Sequence, residues 1–263
     1  MERPGSLQRL DDRLRGSIRQ EAVREMASRE ANNFYGEDPR FLPAFSLAEG
    51  AHYLDLPVAT LRSWTVGRAY PVKAGKRFFA PIVLPPQKQT RQLSFVNVVE
   101  AHMLDAIRRE HRVPLVKVRS AIAYLRRAFD SQHPLAEHKL ETDGCDLFVR
   151  ELGKLVNASR EGQLAMRELL EVHLRRIEWD EKGLASRLFP FTGLRKHEAP
   201  RVVVMDPRIS FGRPVIAGTG IATSVIADRY KAGETMEELA EDYGRDRLEI
   251  EEAIRCELRV EAA

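Results

Sequence analysis

The sequence is poor in the features that build reactive or membrane-spanning sites. It contains two cysteines and two tryptophans in 263 residues. Cys145 and Cys256 have no further cysteine or histidine at ligand spacing, so neither a disulfide framework nor a metal site is expected. There is no nucleophile motif, no phosphate-binding loop and no pair of carboxylates at one predicted strand end. The sequence therefore predicts no catalytic residue, no metal, no cofactor and no enzyme activity.

Long apolar runs are missing as well. No stretch approaches the roughly 18 apolar residues that a membrane-spanning helix needs, so no membrane partner is expected. The amino terminus is charged and lacks an apolar core of signal-peptide length, which predicts a cytoplasmic location. Hydrophobic residues make up 43% of the chain and charged residues 31%, a balance typical of a globular protein. The length leaves room for two or three domains.

The charge is distributed unevenly along the chain. The net charge of +3 is small, but residues 41–130 hold 14 basic and 6 acidic side chains, a net charge of +8. Residues 201–263 hold 9 basic and 13 acidic side chains, a net charge of −4. Segments of opposite sign indicate different partners, and the basic segment favours a polyanion.

Residues 45–68 have the spacing of a helix-turn-helix. Ser46 and Glu49 can form a capping box at the start of one helix. Pro57 ends that helix and can begin the next, in which Leu61 and Trp64 would pack against the first helix. The outward side chains of such a second helix reach the base edges of DNA. Those side chains are Thr60, Arg62, Ser63 and, at the margin, Thr65. A helical hairpin without a DNA-binding role has the same spacing and remains the alternative.

Residues 69–94 predict a β-hairpin beside this second helix. Gly75 favours a turn, residues 77–79 and 82–84 suit paired strands, and a basic, proline-rich loop follows. Basic side chains on such a wing can contact phosphates, which position a protein on DNA. The cations predicted to do so are Arg68, Lys76, Arg77, Lys88 and Arg91. A solvated loop with ordinary lysines is the alternative.

The order of these elements resembles the MerR-like winged helix-turn-helix. Thr60-Leu61-Arg62-Ser63-Trp64 stands where that family has T-L-R-x-W. Two features depart from the family: Pro57 replaces a common capping serine, and the proline-rich segment is longer. The resemblance implies that two following helices, predicted over residues 95–112 and 115–129, support the wing and lead into a homodimer contact.

The remaining regions are less specific. Residues 1–40 predict an amphipathic helix, an arm or a disordered tail. Residues 131–198 predict a small α+β region for linking or dimerisation, with a hairpin turn at 142–144, a strand after Gly153 and a helix at 163–171. Residues 199–263 predict a β-hairpin followed by three short helices. The residues predicted to cap those helices are Thr223, Thr235 and Asp246.

The stretch MDPRISFGRPVIAGTGIAT, which begins at Met205, resembles a small antitoxin domain with the motif D-P-x-I-x-x-G-[KR]-P-x-I-x-G-T-x-I. The matching residues are Asp206, Pro207, Ile209, Gly212, Arg213, Pro214, Ile216, Gly218, Thr219 and Ile221. Gly220, Ala222 and Thr223 depart from the usual pattern. The resemblance implies a homeodomain-like three-helix body, as in VapB-type antitoxins encoded beside a PIN-like ribonuclease toxin.

The sequence therefore predicts a mainly α (α+β) protein in four parts: residues 1–40, the winged helix-turn-helix at 41–130, the middle region at 131–198, and the toxin-binding domain at 199–263. We expect an antitoxin that binds double-stranded operator DNA as a homodimer and inhibits a PIN-like toxin. An antitoxin can place a guanidinium among the toxin's carboxylates, and the candidates are Arg213, Arg229, Arg255 and Arg259. The alternative is a stand-alone MerR-like transcription regulator whose C-terminal module senses a ligand or dimerises.

Overall fold

The computed structural model describes most of the chain. The described ranges are residues 38–72, 75–87, 91–111, 113–192 and 199–258, with the backbone alone at 70–72, 76–77 and 108–111. Met1–Asp38 and Pro39–Ala263 form two units, and every described residue except Asp38 belongs to the second. The helix, arm or tail predicted for residues 1–40 thus lies almost wholly outside the described residues.

Nine α-helices and three two-stranded antiparallel sheets make up the described ranges, which confirms a mainly helical fold with small sheets. Helix α1 (Leu47–Tyr53) begins with the predicted capping box: Ser46 N–H donates to the Glu49 carboxylate at 2.7 Å, and Glu49 N–H donates to Ser46 Oγ at 3.1 Å. Helix α2 (Val58–Thr65) follows. Within these ranges no helix is long and apolar enough to cross a membrane.

The hairpin after α2 pairs different strands from those predicted. Strand β1 (Arg68–Val72) runs antiparallel to β2 (Gly75–Phe79). The strand predicted at residues 82–84 is wrong, because the chain there folds back on α2. The N–H groups of Ile82 and Val83 donate to the carbonyl of Trp64 at 2.7 and 3.1 Å, which satisfies an acceptor at the end of α2.

Two long helices form the centre of the fold. Helix α3 (Phe95–His111) and helix α4 (Leu115–Phe129) confirm the two predicted helices to within a residue. Every residue from 93 to 107 is buried, so α3 is covered on all sides over most of its length. Glu100 and His133 form one of its buried polar contacts, at 3.3 Å between Oε2 and Nδ1.

The middle region is more helical than predicted. Helix α5 (Cys145–Val156) and helix α6 (Arg160–Leu174) lead into the hairpin of β3 (Ile177–Trp179) and β4 (Ala185–Leu188). The hairpin turn predicted at residues 142–144 and the strand after Gly153 are wrong, whereas the helix predicted at 163–171 is confirmed within α6. Helical spacing explains the error. The buried side chains of α5 recur three and four residues apart: Cys145, Phe148, Val149 and Leu152.

The C-terminal segment, residues 199–258, contains the hairpin and three helices that the sequence predicts. Strand β5 (Val203–Val204) pairs with β6 (Val215–Ile216). The helices are α7 (Thr223–Lys231), α8 (Met236–Tyr243) and α9 (Arg247–Glu257). Thr235 and Asp246 form capping boxes as predicted. Thr223 does not cap α7, because its hydroxyl bonds the Pro214 carbonyl at 3.1 Å.

One large hydrophobic core connects these regions. It runs from Phe45 through α3 and the middle region to Met205, and it includes Cys256 of α9. A second, smaller cluster joins α7, α8 and α9 through side chains that include Ile226, Leu239 and Ile250. The helix-turn-helix, the middle region and part of the C-terminal segment therefore share a core, while the four-part division of the chain stays a prediction.

Candidate nucleic-acid interface and partner-binding surface

Helix α2 is fixed against α1 by a tight turn and a close packing contact. Asp55 adopts a left-handed φ of 54°, and the N–H of Leu56 donates to the Ala51 carbonyl at 2.8 Å, which closes α1. Gly50 lets the two helices approach, because a Cβ there would lie 3.3 Å from Leu61 and 2.9 Å from Leu93. The turn and the small residue together set the angle at which α2 leaves α1.

The outward face of α2 carries one predicted cation and two small residues. Arg62 is exposed, and Val58, one helical turn before it, is 43% exposed. Ala59 lies on the same exposed side. Thr60 and Ser63 are half-buried, and the Ser63 hydroxyl donates to the Thr60 carbonyl at 2.7 Å. The sequence interpretation missed Val58, although its four-residue spacing from Arg62 gave the signal.

Thr65 is not on this outward face. It is 3% exposed, and its hydroxyl donates to the Leu61 carbonyl at 2.9 Å. The position lies four residues after Leu61 and next to Trp64, which places it within the buried stripe of the helix. Its marginal inclusion among the base-contacting candidates is therefore wrong.

The β1–β2 hairpin starts directly after α2 and depends on a glycine. Gly67 has a φ of +85°, and a Cβ there would lie 2.3 Å from the carbonyl oxygen of Phe79. Only glycine suits such a position. Arg68 is exposed at the base of the hairpin, and Phe78 on β2 is 63% exposed. The hairpin therefore presents a cation and an aromatic ring directly after α2 in the chain.

The other predicted wing cations are described unequally. Lys76 and Arg77 lie on β2, where only the backbone is described, and Lys88 lies outside the described residues. Arg91 is exposed in the segment that leads to α3. Arg62 thus lies in the second half of α2 and Arg68 at the start of β1. Lys76 and Arg77 lie on β2, the strand that pairs with β1.

Two arginines of α4 support the hairpin rather than facing solvent freely. The Arg119 guanidinium donates to the carbonyl of Ala80 and lies over the Phe79 ring, 5.4 Å from its centroid. Arg126 donates to the carbonyl of Ile82 at 2.8 Å. Both contacts join α4 to the segment that follows β2, so this long helix holds the end of the hairpin in place.

The C-terminal segment begins with a buried carboxylate that orders a turn. Asp206 is almost fully buried and accepts hydrogen bonds from the backbone N–H of Arg208 at 2.9 Å and from its guanidinium at 2.8 and 2.9 Å. Arg187 of β4 donates to the same carboxylate at 3.0 Å. Burial alone raises the pKa of Asp206, but the hydrogen bonds from Arg208 and Arg187 outweigh it and lower the pKa to about 2.

Replacing Asp206 with asparagine should make stability less dependent on pH. The folded-state pKa is lower than the unfolded one, so the carboxylate stabilises the fold above about pH 4 and loses this effect as the pH falls toward 2. At pH 6 we expect Asp206→Asn to lose about 2 kcal/mol of unfolding free energy. Urea denaturation of both proteins between pH 3 and pH 6 measures this. A difference that stays constant over that range would contradict the assignment.

Arg213 joins the C-terminal segment to the helix-turn-helix. Its guanidinium donates to the Glu49 carboxylate of α1 at 2.9 Å. The neighbouring Gly212 lies against Phe45, such that an added Cβ would be 3.0 Å from that ring. Arg213 is therefore placed beside α1.

Two further candidate arginines, Arg229 and Arg255, are held in ion pairs on the surface of the segment. Arg229 of α7 bonds Glu234 at 2.8 Å and Asp242 at 2.5 Å, and the hydrogen bond to Glu234 is the largest cause that raises its pKa. Arg255 of α9 donates to Glu252 at 2.7 Å. Arg259 lies outside the described residues. To bind a carboxylate of a partner protein, each described arginine would have to release its present carboxylate or contact both at once.

Cys145 is buried at the start of α5. Burial raises the pKa of Cys145 to about 11, with nearby acids adding to the effect, so its sulfur stays protonated at neutral pH. Among the described residues, no group of three or more potential metal-binding side chains comes together.

Two family descriptions match the chain. Residues 43–122 match a "Putative DNA-binding HTH domain", which covers α1, α2, the hairpin, α3 and half of α4. Residues 203–255 match a family described as "Protein of unknown function (DUF433)", which covers β5 through most of α9. The two ranges coincide with the two regions that the sequence motifs single out.

Similar proteins are known from Mycobacterium tuberculosis. The chain is 27% identical to the protein in the X-ray crystal structure of RV2018, with a TM-score of 0.59 over 81% of this chain and 98% of that one. It is 29% identical over 223 residues to "Uncharacterized protein Rv2308" of strain ATCC 25618 / H37Rv, which covers 79% of this chain and 87% of that protein. It is 32% identical over 220 residues to "Putative antitoxin VapB45" of the same strain, which covers 77% of this chain and 89% of that protein. The chain therefore belongs to the family of "Putative antitoxin VapB45" and carries a helix-turn-helix domain of the DNA-binding kind.

Proposed function

We propose that this protein is the antitoxin of a type II toxin–antitoxin system. In this proposal it represses its own operon by binding operator DNA, and it inhibits a PIN-like ribonuclease toxin. The observation that carries the proposal is the outward face of α2, where Arg62 is exposed on a helix anchored from behind by Leu61 and Trp64. The family relation to a putative antitoxin supports the second half of the role.

DNA binding would use α2 and the hairpin together. The helix would lie in the major groove with Val58, Ala59 and Arg62 toward the bases, while Arg68 and the other hairpin cations contact phosphates. In a MerR-like homodimer the two helices would reach successive major grooves about 34 Å apart on an inverted repeat. Counterion release would supply much of the affinity and make it fall steeply with salt.

Arg62→Ala should weaken binding to specific DNA more than binding to random DNA. A guanidinium with a bidentate contact to guanine contributes about 1–3 kcal/mol of base discrimination, whereas a phosphate contact contributes equally on any sequence. The measurement is a titration, by fluorescence anisotropy, of a duplex from upstream of the gene and of a scrambled duplex.

Arg127→Ala is the matched control, because Arg127 is an exposed cation of α4 outside the recognition helix. It removes the same charge and should reduce both affinities slightly and equally. An equal loss on the two duplexes for Arg62→Ala would make Arg62 a phosphate contact and remove base readout by α2.

Toxin inhibition would be the task of the C-terminal segment. PIN-like nucleases hold divalent metal with a carboxylate cluster, and a guanidinium can be placed among those carboxylates or the cleft can simply be covered. Arg213, Arg229, Arg255 and Arg259 remain the candidates. Of the three described, Arg255 on α9 is half exposed and Arg213 in the turn before β6 is 44% exposed, so both can reach a partner without local unfolding.

The test is co-expression with the product of the neighbouring reading frame. We expect the two proteins to co-purify and the ribonuclease activity of the partner to disappear in the complex. If the purified chain binds its upstream DNA but neither binds nor inhibits that product, the stand-alone transcription regulator replaces the antitoxin.

A further inference from the structure

The turn between β5 and β6 holds an aromatic ring in solvent. Phe211 is 82% exposed. Its φ is 55°, and the neighbouring Ser210 and Gly212 have φ values of 48° and 81°, so three consecutive residues are left-handed. Left-handed backbone is unfavourable for side chains other than glycine, and strain of this kind persists only where the surroundings impose it. Both the exposure of the ring and the conformation of its backbone oppose folding.

The surroundings of the turn impose this conformation from both sides. On one side, Asp206 binds the backbone and guanidinium of Arg208. On the other side, Arg213 is tied to Glu49 at 2.9 Å and Gly212 rests against Phe45. Within the turn, the N–H of Gly212 donates to the Ile209 carbonyl at 2.9 Å. The turn is therefore a rigid support, and the ring that it carries packs little against the fold.

The guanidiniums on either side of the ring in the sequence are already paired. Arg208 is bound to Asp206, which also accepts from Arg187, and Arg213 is bound to Glu49. A polyanion would have to displace one of these carboxylates before it gained from either guanidinium. An apolar pocket on a protein, rimmed by hydrogen-bond acceptors for the exposed guanidinium edges, fits the surface better, since exposed aromatic rings and arginines dominate protein interfaces.

We propose that Phe211 is the anchor by which this chain binds its protein partner, the toxin of the proposed function. The ring enters an apolar pocket of that partner, and the Arg208 and Arg213 guanidiniums contact acceptors at its rim. The rigid turn lowers the entropy lost on binding because the ring is already presented. The inference rests on the proposed function and adds a specific contact to it.

Substitution of Phe211 tests this contact. Phe211→Ala should weaken binding to the purified neighbouring-gene product by about 30-fold or more, as measured by calorimetry, because an anchor ring is lost. Phe211→Tyr should retain most of the affinity. The matched control is Leu248→Ala on α9, where another side chain of the same segment is 52% exposed; it should change the affinity by less than about threefold.

A second variant separates binding from folding. Phe211→Gly removes the ring and also suits a φ of 55°, so its melting temperature should equal or exceed that of the wild type while partner binding is lost. A lower melting temperature would show that the ring stabilises the fold and would overturn the proposal.

The remaining outcomes are distinguishable. Wild-type and Phe211→Ala proteins that bind the toxin equally would overturn this inference and leave the proposed function intact. A wild type that binds no toxin would overturn both. Loss of DNA binding, or of self-association, with toxin binding retained would assign the ring to DNA or to a second copy of the chain instead.

Discussion

Replacing Trp64 with alanine is expected to lower the free energy of unfolding by about 3–5 kcal/mol. Trp64 is 1% exposed and is among the largest fully buried side chains of the described residues. Its backbone carbonyl also accepts two hydrogen bonds, from the N–H groups of Ile82 and Val83 after the hairpin. Loss of the indole leaves a cavity in the large hydrophobic core beneath α2. The neighbouring side chains can fill that cavity only in part.

The functional consequence separates Trp64 from Arg62. Because Trp64→Ala releases α2 from its support, it should reduce binding to specific and random DNA alike, whereas Arg62→Ala affects mainly the specific duplex. Trp64→Phe, which keeps an aromatic ring, should cost distinctly less stability than alanine. Val58→Ala, at an exposed position of the same helix, should change the unfolding free energy by less than about 1 kcal/mol.

Urea denaturation followed by far-ultraviolet circular dichroism measures these differences, since it does not depend on the indole as a probe. A Trp64→Ala protein as stable as the Val58→Ala protein would show that α2 is not held through its inner face. The account of a recognition helix fixed by its buried stripe would then be wrong.

Replacing Arg176 with methionine is the second change with a large expected effect. It should lower the free energy of unfolding by about 3 kcal/mol or more. Arg176 is 5% exposed, and its guanidinium donates to four carbonyls: Phe189 at 2.8 Å, Pro190 at 3.0 Å, Ala199 at 2.7 Å and Pro200 at 3.0 Å. Methionine fills a similar volume but donates nothing, so buried acceptors lose their partners. Burial, helped by the charge of Arg201, lowers the pKa of Arg176 to about 10, so the group is still charged at neutral pH.

The hydrogen bonds of Arg176 connect the end of the middle region to the start of the C-terminal segment. The four carbonyls lie on both sides of residues 193–198, at the point where the middle region passes into the C-terminal segment. Arg176→Lys keeps the charge but replaces the planar guanidinium by a single ammonium group, which cannot donate to the same four carbonyls. The Arg176→Lys protein should therefore also be less stable than the wild type. Hydrogen exchange at Val203–Met205 should increase in both variants.

Arg175→Ala provides the matched control, because the adjacent arginine is exposed. It should alter stability by no more than about 0.5 kcal/mol. If Arg176→Met unfolds at the same urea concentration as Arg175→Ala, the buried guanidinium contributes nothing to the attachment of the C-terminal segment.

Local patterns could be predicted from the sequence because their causes are local. The capping boxes that start with Ser46, Thr235 and Asp246 involve residues three positions apart, and all are present. The helix beginning at Leu115 follows a proline and has regular apolar spacing, so its bounds were predictable. Helix α2 could be predicted for the same reason, through the buried Leu61 and Trp64.

Contacts between distant residues could not be predicted in this way. The partners of Arg176 are 13 to 24 positions away, and Glu49 is 164 positions from Arg213. The middle region was misread because short apolar runs suit a strand as well as a helix until their spacing is counted over two turns. Phe211 could not be singled out from the sequence, because it belongs to no periodic apolar pattern. Its left-handed φ and its exposure are visible only in the structure.

The position of Cys256 has a consequence for how relatives of this protein diverge. Its side chain is fully buried in the core that also contains Phe45 and Trp64. A chimera that took α9 from a relative with a larger or smaller residue there would carry a clash or a void into the core that also supports the helix-turn-helix. Under the proposed function, recombination that exchanges toxin specificity should succeed only when both sides of this junction are inherited together. The choice of toxin and the choice of operator would then evolve as a linked pair.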